Sequence, residues 1–300
     1  MNSKIVNNAQ HIIDLRRYDA ENTAVNNKIQ GFEKDKEFKT LYEKYQTLMI
    51  ENAKNGKDEN EETIKIKALL DERAKKIGLT FTPQYTCPIC QDNGRINGDY
   101  CVCLKKEINN ILIKESGFTR LEKFENARFD IFDQPEKMKK LYSKMKEWCH
   151  SDFKKNIIYI AGETGVGKTH LMSCIANELI NQNKICTLTS SFAMNQDFVK
   201  SYAYRNTDEG YDILDKYLEA DILFIDDLGT ELRRQDVTNN YLYLVINERK
   251  MKNKPTVITS NLTLEDVRDY YDERVFSRIV DRDTSVCIYL TGNDLRLKIK

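Results

Sequence analysis

The sequence predicts an α/β protein, built on a parallel β-sheet with helices on both faces, and three observations predict it. A glycine-rich phosphate-binding pattern follows a short apolar run at residues 157–160. From there to residue 290, apolar runs typical of strands alternate with helical ones. A charged helical region and a cysteine-rich segment precede this part. Alternating strands and helices indicate crossover connections, which lay helices over a parallel sheet.

The composition limits the function classes that are open to the chain. Its 300 residues include 47 basic and 47 acidic side chains, so no global basic field attracts nucleic acid and any such contact needs a local patch. The N-terminus lacks the apolar core of a signal peptide, and no apolar run approaches a membrane span. We therefore expect a cytoplasmic protein without a membrane partner. The eight cysteines then indicate metal binding or burial rather than disulfides.

Residues 1–80 form the first of three predicted domains, a charged helical region. Apolar residues from Phe38 to Met49 recur at three- and four-residue spacing, which predicts an amphipathic helix. A second helix is predicted around residues 64–70. The apolar stripe is either the core of its own small bundle or a surface that packs against a partner.

The second predicted domain, residues 81–119, is a zinc-binding module followed by a helix. Cys87, Cys90, Cys101 and Cys103 form two close pairs with a polar turn between them. Four thiolates in this arrangement suit tetrahedral Zn²⁺, and the full ligand set leaves no open position for a substrate. An iron–sulfur cluster and buried or redox-active thiols are the alternatives. Core positions are expected for the other cysteines, Cys149, Cys174, Cys186 and Cys287.

The third predicted domain, residues 120–300, contains a P-loop. Gly162, Gly167, Lys168 and Thr169 fit the pattern G-x-x-x-x-G-K-[ST]. Lys168 is expected to reach the β- and γ-phosphates of ATP, and the Thr169 hydroxyl to ligate Mg²⁺. The N-terminus of the following helix adds partial positive charge. The ATP-binding set is completed by Glu163, Thr164, Gly165, Val166 and His170.

The elements of this domain follow from the apolar runs. Strands are predicted at 157–161, 185–190, 222–226, 255–260 and 285–290. Helices are predicted at 168–182, 192–203, 211–219, 236–252 and 263–280. Only about ten residues follow the last strand, which is too few for a helical lid.

Acidic and amide side chains follow two of these strands. Asp226 is the candidate carboxylate for Mg²⁺, because a hydrophobic strand that ends in acid is how a Walker-B site places one. Asp227 is the candidate for polarising the attacking water. Asn261 ends the next strand along the chain, where it either orients that water or caps the following helix together with Ser260.

Two arginines near the end of the chain lie one helical turn apart and share a face, Arg274 and Arg278. A guanidinium at the γ-phosphate accelerates hydrolysis by orders of magnitude. If a neighbouring subunit supplies it, hydrolysis depends on self-association of the ATPase domain. The alternative is a solvated basic helix face.

Residues 198–205 are the candidate surface for single-stranded DNA. They interleave Lys200 and Arg205 with Tyr202 and Tyr204, and rings with cations bind single strands without sequence preference. A solvated amphipathic helix is the alternative.

Four motifs, in chain order, resemble the AAA+ domain of DnaC/DnaI-type helicase loaders of bacteria and their phages: GETGVGKTHL, LFIDDLG, TSN and DERVFSRI. TCPICQDNGRINGDYCVC is similar to the zinc-binding segment that precedes this domain in many loaders. The resemblance covers residues 85–300. It implies an ATPase that binds the replicative hexameric helicase through residues 1–80 and delivers it to single-stranded DNA.

The resemblance also implies roles by position. Asn261 matches the sensor-1 position, Arg274 and Arg278 lie in the arginine-finger motif with Arg278 favoured, and Arg296 matches a late basic residue that contacts phosphate. The usual Walker-B glutamate is Asp227 here, so we expect slow hydrolysis used as a switch. Loaders are also truncated after the last strand.

Two rival functions remain open. A transposase-helper ATPase of the IstB type has a similar domain, but the zinc module and the helical N-terminus favour the loader. A small-molecule P-loop kinase would leave the arginine pair and the DNA-like segment without a role.

Overall fold

A computed structural model describes residues 3–56, 60–118 and 120–297. The chain divides into two compact units, one comprising Gln10–Cys103 and the other Met1–Ala9 with Leu104–Lys300. Parts of the three predicted domains, at 1–2, 57–59, 119 and 298–300, lie outside the described residues. The three-domain division stays a prediction.

The helices and strands follow one another along the chain in two groups. The first group is α1 (Ser3–Lys34), α2 (Lys36–Lys54), α3 (Glu61–Lys76), β1 (Arg95–Ile96), β2 (Asp99–Tyr100), α4 (Val102–Ser116) and α5 (Pro135–Cys149). The second group is β3 (Ile157–Gly162), α6 (Lys168–Asn181), β4 (Cys186–Ser190), α7 (Ser191–Ala203), α8 (Asp208–Glu219), β5 (Ile222–Leu228), α9 (Gln235–Met251), β6 (Thr256–Ser260), α10 (Leu264–Tyr270), α11 (Glu273–Ile279) and β7 (Ser285–Leu290).

The two helices predicted in the N-terminal region are confirmed as α2 and α3. Asp35 caps α2 by accepting hydrogen bonds from the Glu37 and Phe38 amides, because the first turn of a helix leaves its N–H groups unpaired. Phe38 is buried against Leu70 of α3, and Leu41, Tyr42, Tyr45 and Leu48 of the apolar stripe pack around them. The stripe is therefore the core of its own helix pair.

A five-stranded parallel sheet organises the second unit, which confirms the predicted fold class. The strand order is β4-β5-β6-β3-β7, and Ile157 of β3 pairs with Thr256 on one side and Ser285 on the other. Ile158 and Ile160 pack under α5 and α6, whereas Ile157 and Tyr159 face the opposite core with α9 and α11. Successive side chains of a strand alternate between faces, so both faces of the sheet are covered.

The predicted helix at 263–280 is wrong in one respect, because the structure divides it into α10 and α11. The break falls at Tyr271, whose ψ of -104° leaves the helical region. Asp272 then caps α11 by accepting a hydrogen bond from the Val275 amide. An aspartate inside an apparently continuous pattern starts a second helix here, since its carboxylate satisfies an amide at the new N-terminus.

A second correction concerns Cys287. Cys149, Cys174 and Cys186 are buried as predicted, but Cys287 is exposed. It lies on β7, which forms one edge of the sheet. An edge strand has a less covered face than a central one, so an apolar run alone did not predict its burial correctly.

The end of the described chain contains only a 3₁₀ turn at Leu295–Leu297 after β7. The described residues 291–297 contain no α-helix. Among the helices described, none is both long and apolar enough to cross a membrane.

Arg249 of α9 is fully buried and forms hydrogen bonds with the segments at the starts of β5 and β6. Its Nε donates to Thr256 Oγ1 at 3.1 Å, and its two terminal nitrogens donate to four backbone carbonyls. These carbonyls belong to Tyr217, Ala220, Asp221 and Pro255. Burial lowers the pKa of Arg249 to about 9, which still leaves it charged at neutral pH.

Replacing Arg249 with methionine is expected to lower the free energy of unfolding by at least about 3 kcal/mol, because buried carbonyls lose their donors. Urea unfolding followed by the fluorescence of Trp148 measures this loss. Lys252→Met, on an exposed position of the next turn, is the matched control and should change stability by less than about 0.5 kcal/mol. Equal stability of the two variants would contradict the assigned role.

Candidate nucleotide-binding and metal sites

The P-loop connects β3 to α6 and depends on backbone conformations that favour glycine. Gly162, Gly165 and Gly167 all have positive φ, at 151°, 83° and 98°. At Gly165 a Cβ would clash with the carboxylate of Asp294, and the positive φ disfavours any other residue there. The loop therefore turns tightly and leads directly into the N-terminus of α6, which favours anions.

Lys168 is buried at the start of α6, with its ammonium group held by three oxygens. Nζ donates to Gly162 O at 2.9 Å, Glu163 O at 2.8 Å and Asn261 Oδ1 at 2.7 Å. Burial lowers the pKa of Lys168, while the neighbouring carboxylates Asp227 and Asp226 act in the opposite direction. The structure thus joins the P-loop lysine to Asn261, which the sequence predicted as a separate element.

The side chains of Thr169 and Asp226 are hydrogen-bonded to each other. The Thr169 hydroxyl donates to Asp226 Oδ1 at 3.0 Å, and Thr259 also donates to this carboxylate. Burial raises the pKa of Asp226 above its usual range. A hydroxyl and a carboxylate are hard oxygen ligands, so this pair fits Mg²⁺.

Asp227 has a left-handed backbone, with φ of 53°, where β5 bulges against β6. Its amide donates to Thr259 Oγ1 at 2.9 Å, and the residue lines the same cavity as Lys168. Asp and Asn tolerate this conformation better than longer side chains do. The backbone therefore gives a physical reason for aspartate at the position of the usual Walker-B glutamate.

A cavity of about 430 Å³ lies above the P-loop. Its lining includes most of the predicted nucleotide residues, namely Thr164, Gly165, Gly167, Lys168, Thr169, His170, Asp227, Asn261 and Arg296. His170 hydrogen-bonds to Tyr142 at 2.9 Å, and burial lowers its pKa, which favours the neutral imidazole. The Val166 side chain is buried in the core, so only its backbone is available to a ligand.

Sequence reasoning missed the apolar end of this cavity. Ile131 and Phe132 line it from the segment before α5, and Leu295 closes it from the C-terminal side. The polar side chains of Asn126 and Arg128, from the same segment, also line the cavity. Aromatic and aliphatic side chains are typical of base-binding surfaces. The sequence gives little indication of these lining residues, because Ile131 and Phe132 lie in a stretch without helical or strand periodicity.

Arg296 lines the cavity from the C-terminal side, and its contact with phosphate stays a prediction. It is paired with Asp294, at 2.9 Å between Nη2 and Oδ2, and the Leu295 amide donates to Gly165 O at 3.0 Å. These contacts hold the C-terminal segment against the P-loop.

The structure does not bring Arg274 and Arg278 into this cavity. Arg274 donates to Asn240 Oδ1 at 3.1 Å, and Arg278 donates through Nε to Asn247 Oδ1 at 2.8 Å. Both guanidinium groups lie within 5.6 Å of the centre of the Tyr243 ring. The pair shares one face of α11, on the side packed against α9.

A buried carboxylate, Glu231, connects the Walker-B loop to the start of α11, and no sequence pattern indicated it. Glu231 accepts a hydrogen bond from the Gly229 amide at 3.0 Å and another from the Tyr271 hydroxyl. Burial raises the pKa of Tyr271, which keeps its hydroxyl a donor. The next residue, Asp272, caps the N-terminus of α11. The contact between Glu231 and Tyr271 therefore holds this end of α11 in place relative to the loop after β5.

The four predicted zinc ligands come together in the smaller unit. The sulfurs of Cys87, Cys90, Cys101 and Cys103 all lie within 4.8 Å of one another, with Cys87–Cys101 at 3.8 Å and Cys90–Cys103 at 3.4 Å. Tetrahedral Zn²⁺ with Zn–S bonds of about 2.3 Å needs sulfurs roughly 3.8 Å apart. The carboxylate of buried Asp92 accepts hydrogen bonds from the amides of Thr86 and Cys87, which holds the segment with Cys87 and Cys90 in place.

The purified protein is expected to contain about one zinc ion per chain, because the four thiols match a closed tetrahedral site. Cys90→Ser should lose most of the metal and lower the melting temperature, since such a metal contributes folding energy. Elemental analysis by mass spectrometry checks the content. Cys174→Ser, at a buried cysteine elsewhere, is the control that should keep it. Iron in place of zinc would contradict the assignment.

The candidate DNA segment ends α7 and continues beyond it. Tyr202 and Tyr204 are about half exposed, and the Arg205 guanidinium lies 4.6 Å from the centre of the Tyr202 ring. Lys200 is exposed one turn earlier, whereas Phe198 is buried in the core. Rings and cations therefore lie on the surface together.

Several curated proteins are similar to this chain. The Bacillus subtilis protein YqaM is 29% identical over 210 residues, 66% of this chain and 64% of YqaM. The B. subtilis phage-like element PBSX protein XkdC is 28% identical over 230 residues, 70% of this chain and 84% of XkdC. The replication initiator DnaA of Mycoplasma pneumoniae is 29% identical over 180 residues, 58% of this chain but only 39% of DnaA. The chain thus spans less than two thirds of the length of YqaM and of DnaA.

Solved structures with a similar fold include DnaI, at 24% identity and a TM-score of 0.43, covering 58% of this chain and 90% of DnaI. The DnaC helicase loader has 20% identity and a TM-score of 0.47, covering 56% of this chain and 98% of DnaC.

A family model also matches the chain. Residues 106–300 match the family described as IstB-like ATP binding protein, which is more than half of the chain. The matched range contains β3 to β7, the P-loop and the Walker-B strand. The chain belongs to the family of IstB-like ATP-binding proteins.

Proposed function

We propose that this protein is an ATPase that binds the replicative hexameric DNA helicase and delivers it to single-stranded DNA, with slow ATP hydrolysis as the switch. The observation that carries the proposal is the split arrangement of the site. Lys168, Thr169 and Asp227 surround one cavity, whereas Arg274 and Arg278 lie apart from it on α11. Such a site needs an arginine from a neighbouring subunit, so assembly and hydrolysis become coupled.

In this proposal each side chain has one task at the phosphates. Lys168 exchanges its contacts with backbone oxygens for the β- and γ-phosphates, and Thr169 with Asp226 would hold Mg²⁺. The ion, when bound, neutralises charge that develops on the phosphates. Asp227 accepts a proton from the attacking water, and Asn261 orients that water. Arg278 of a neighbouring chain stabilises the transition state.

The helicase is assigned to residues 1–80. Co-purification tests this assignment: the full chain, used as bait in an extract of its native cell, should retain the replicative helicase. A chain that begins at residue 104 should retain none, since it lacks the helices and the zinc module. If the folded full chain retains no helicase, the loader proposal is wrong.

Single-stranded DNA is assigned to residues 198–205. Replacing Tyr202 and Tyr204 with alanine should weaken binding of labelled oligo(dT) about tenfold or more, because each stacked base contributes about 1–3 kcal/mol. Fluorescence anisotropy measures the affinity. Phe192→Ala removes an equally exposed ring from the same helix and should leave binding unchanged. An equal loss of DNA affinity in Phe192→Ala and in the double tyrosine variant would contradict the assignment.

A transposase-helper ATPase is the second candidate, and the match to the IstB-like family favours it. The same co-purification separates the two, since a helper retains a transposase instead of a helicase. A small-molecule kinase would instead require a metabolite for ATP consumption. Release of inorganic phosphate by the protein without any metabolite would contradict that function.

A further inference from the structure

A second groove lies between α5 and the edge strand β7, on the other side of Phe132 from the nucleotide cavity. It encloses about 540 Å³. Lys137, Lys140 and Lys144 line it from α5, and Cys287 to Thr291 line it from β7 and the residue after it. Neither the nucleotide site nor the proposed DNA surface uses these residues.

The backbone of β7 has unpaired groups along this groove. The Ile157 amide donates to Thr284 O at 3.1 Å, and in a parallel ladder the strand then bonds to β3 at every second residue. The N–H and C=O groups of Cys287 and Tyr289 consequently point away from β3. Within the described chain, no hydrogen bond to these groups occurs. Both side chains are exposed as well.

The strand itself carries none of the features that usually protect an edge. Its sequence, SVCIYL, has no charge and no proline, and its pairing with β3 runs in register without a bulge. Natural edge strands are commonly blocked by lysines, prolines or bulges on the strand, because an open edge pairs with other chains. β7 is therefore a competent template for one more strand.

The charge of the groove indicates which kind of strand it accepts. Within the described residues, Lys137, Lys140 and Lys144 make no ion pair, whereas Lys146 on the same helix pairs with Glu125. The two carboxylates of the groove, Asp133 and Glu136, lie together at the start of α5, and Asp133 accepts hydrogen bonds from Asn293. The remainder of the groove is basic.

We propose that this groove binds an extended acidic segment of a partner protein, which adds as a strand beside β7 while its carboxylates pair with the lysines of α5. Main-chain hydrogen bonds supply affinity in this mode of recognition, and side-chain complementarity supplies specificity. The phosphates of a nucleic acid would pair with the lysines, but its backbone has no N–H and C=O groups that match the spacing of a β-strand. The proposal does not depend on the loader function.

The test uses the full-length protein and a fluorescein-labelled peptide of alternating glutamate and valine. The peptide should bind, and hydrogen exchange of residues 285–290 should slow in its presence. Lys140→Glu should weaken binding about tenfold, because an attractive charge pair becomes a repulsive one. The matched control is Lys139→Glu, which lies on the same helix but lines a different hollow, and it should bind as the unchanged protein does.

A second peptide with the same charges, N-methylated at alternate residues, cannot pair with a strand edge and should bind at least about tenfold more weakly. Equal binding of the methylated peptide would overturn strand addition. Equal effects of Lys139→Glu and Lys140→Glu would overturn the groove as its site. Tighter binding of a single-stranded oligonucleotide that also requires Lys140 would identify a nucleic-acid surface instead. Self-association abolished by Lys140→Glu would identify a second copy as the occupant.

Discussion

Replacing Lys168 with alanine is expected to lower the affinity for ATP by about two orders of magnitude and to abolish hydrolysis. The ammonium group of Lys168 lies among oxygens at the base of the P-loop, 2.7 Å from Asn261 Oδ1. Each charge-assisted hydrogen bond to a phosphate contributes about 1.5–3 kcal/mol, and the substitution removes those of one cation. Calorimetric titration with ATP and Mg²⁺ measures the affinity.

The control for this substitution is Lys154→Ala, which removes an exposed lysine before β3 and should bind ATP normally. The melting temperature of both variants must also be measured, because Lys168 is buried and contacts the loop backbone. An unchanged ATP affinity in folded Lys168→Ala would contradict the assignment of the cavity.

Replacing Asp227 with asparagine is expected to reduce the hydrolysis rate by about 10²–10³-fold while ATP affinity stays the same. The change removes a proton acceptor from the position assigned to the attacking water, an effect typical of a general base. Asparagine has the same shape and also tolerates the left-handed backbone at φ of 53°, so the loop should keep its conformation. Single-turnover hydrolysis and equilibrium binding, measured on the same preparation, separate chemistry from affinity.

The outcome for Asp227 is informative in both directions. Thr230→Ala, which removes a hydroxyl that bonds to the backbone carbonyl of Asp227, is a control for disturbance of the loop alone. If Thr230→Ala slowed hydrolysis as much as Asp227→Asn, the carboxylate would have no special task. Undiminished hydrolysis in Asp227→Asn would also overturn its assignment as the base.

The α/β part of the fold was predictable because its central strands, β3, β5 and β6, are almost entirely buried. Runs such as 157–160 and 222–225 are continuously apolar, and the observed strands begin within one residue of the predicted starts. The break between α10 and α11 was not predictable, because Asp272 fits a helical pattern until its capping contact is known. The exposure of Cys287 depends on strand order, which periodicity does not encode.

The phosphate-binding end of the site was predictable because binding of phosphate and Mg²⁺ requires fixed residue types at short spacing. The apolar end depends on Phe132 and Leu295, which approach each other only through the fold. The buried contact between Glu231 and Tyr271 joins residues that are 40 positions apart. Neither arrangement leaves a local pattern in the sequence.

Helicase loading on closed circular single-stranded DNA tests the proposed function most directly. The replicative helicase of the same cell is incubated with the circle, ATP and this protein, and the DNA-bound helicase is counted after gel filtration. We expect loading to require the protein, to fail with Lys168→Ala and to fall with Arg278→Ala. Helicase that binds the circle equally well with or without this protein would contradict the account.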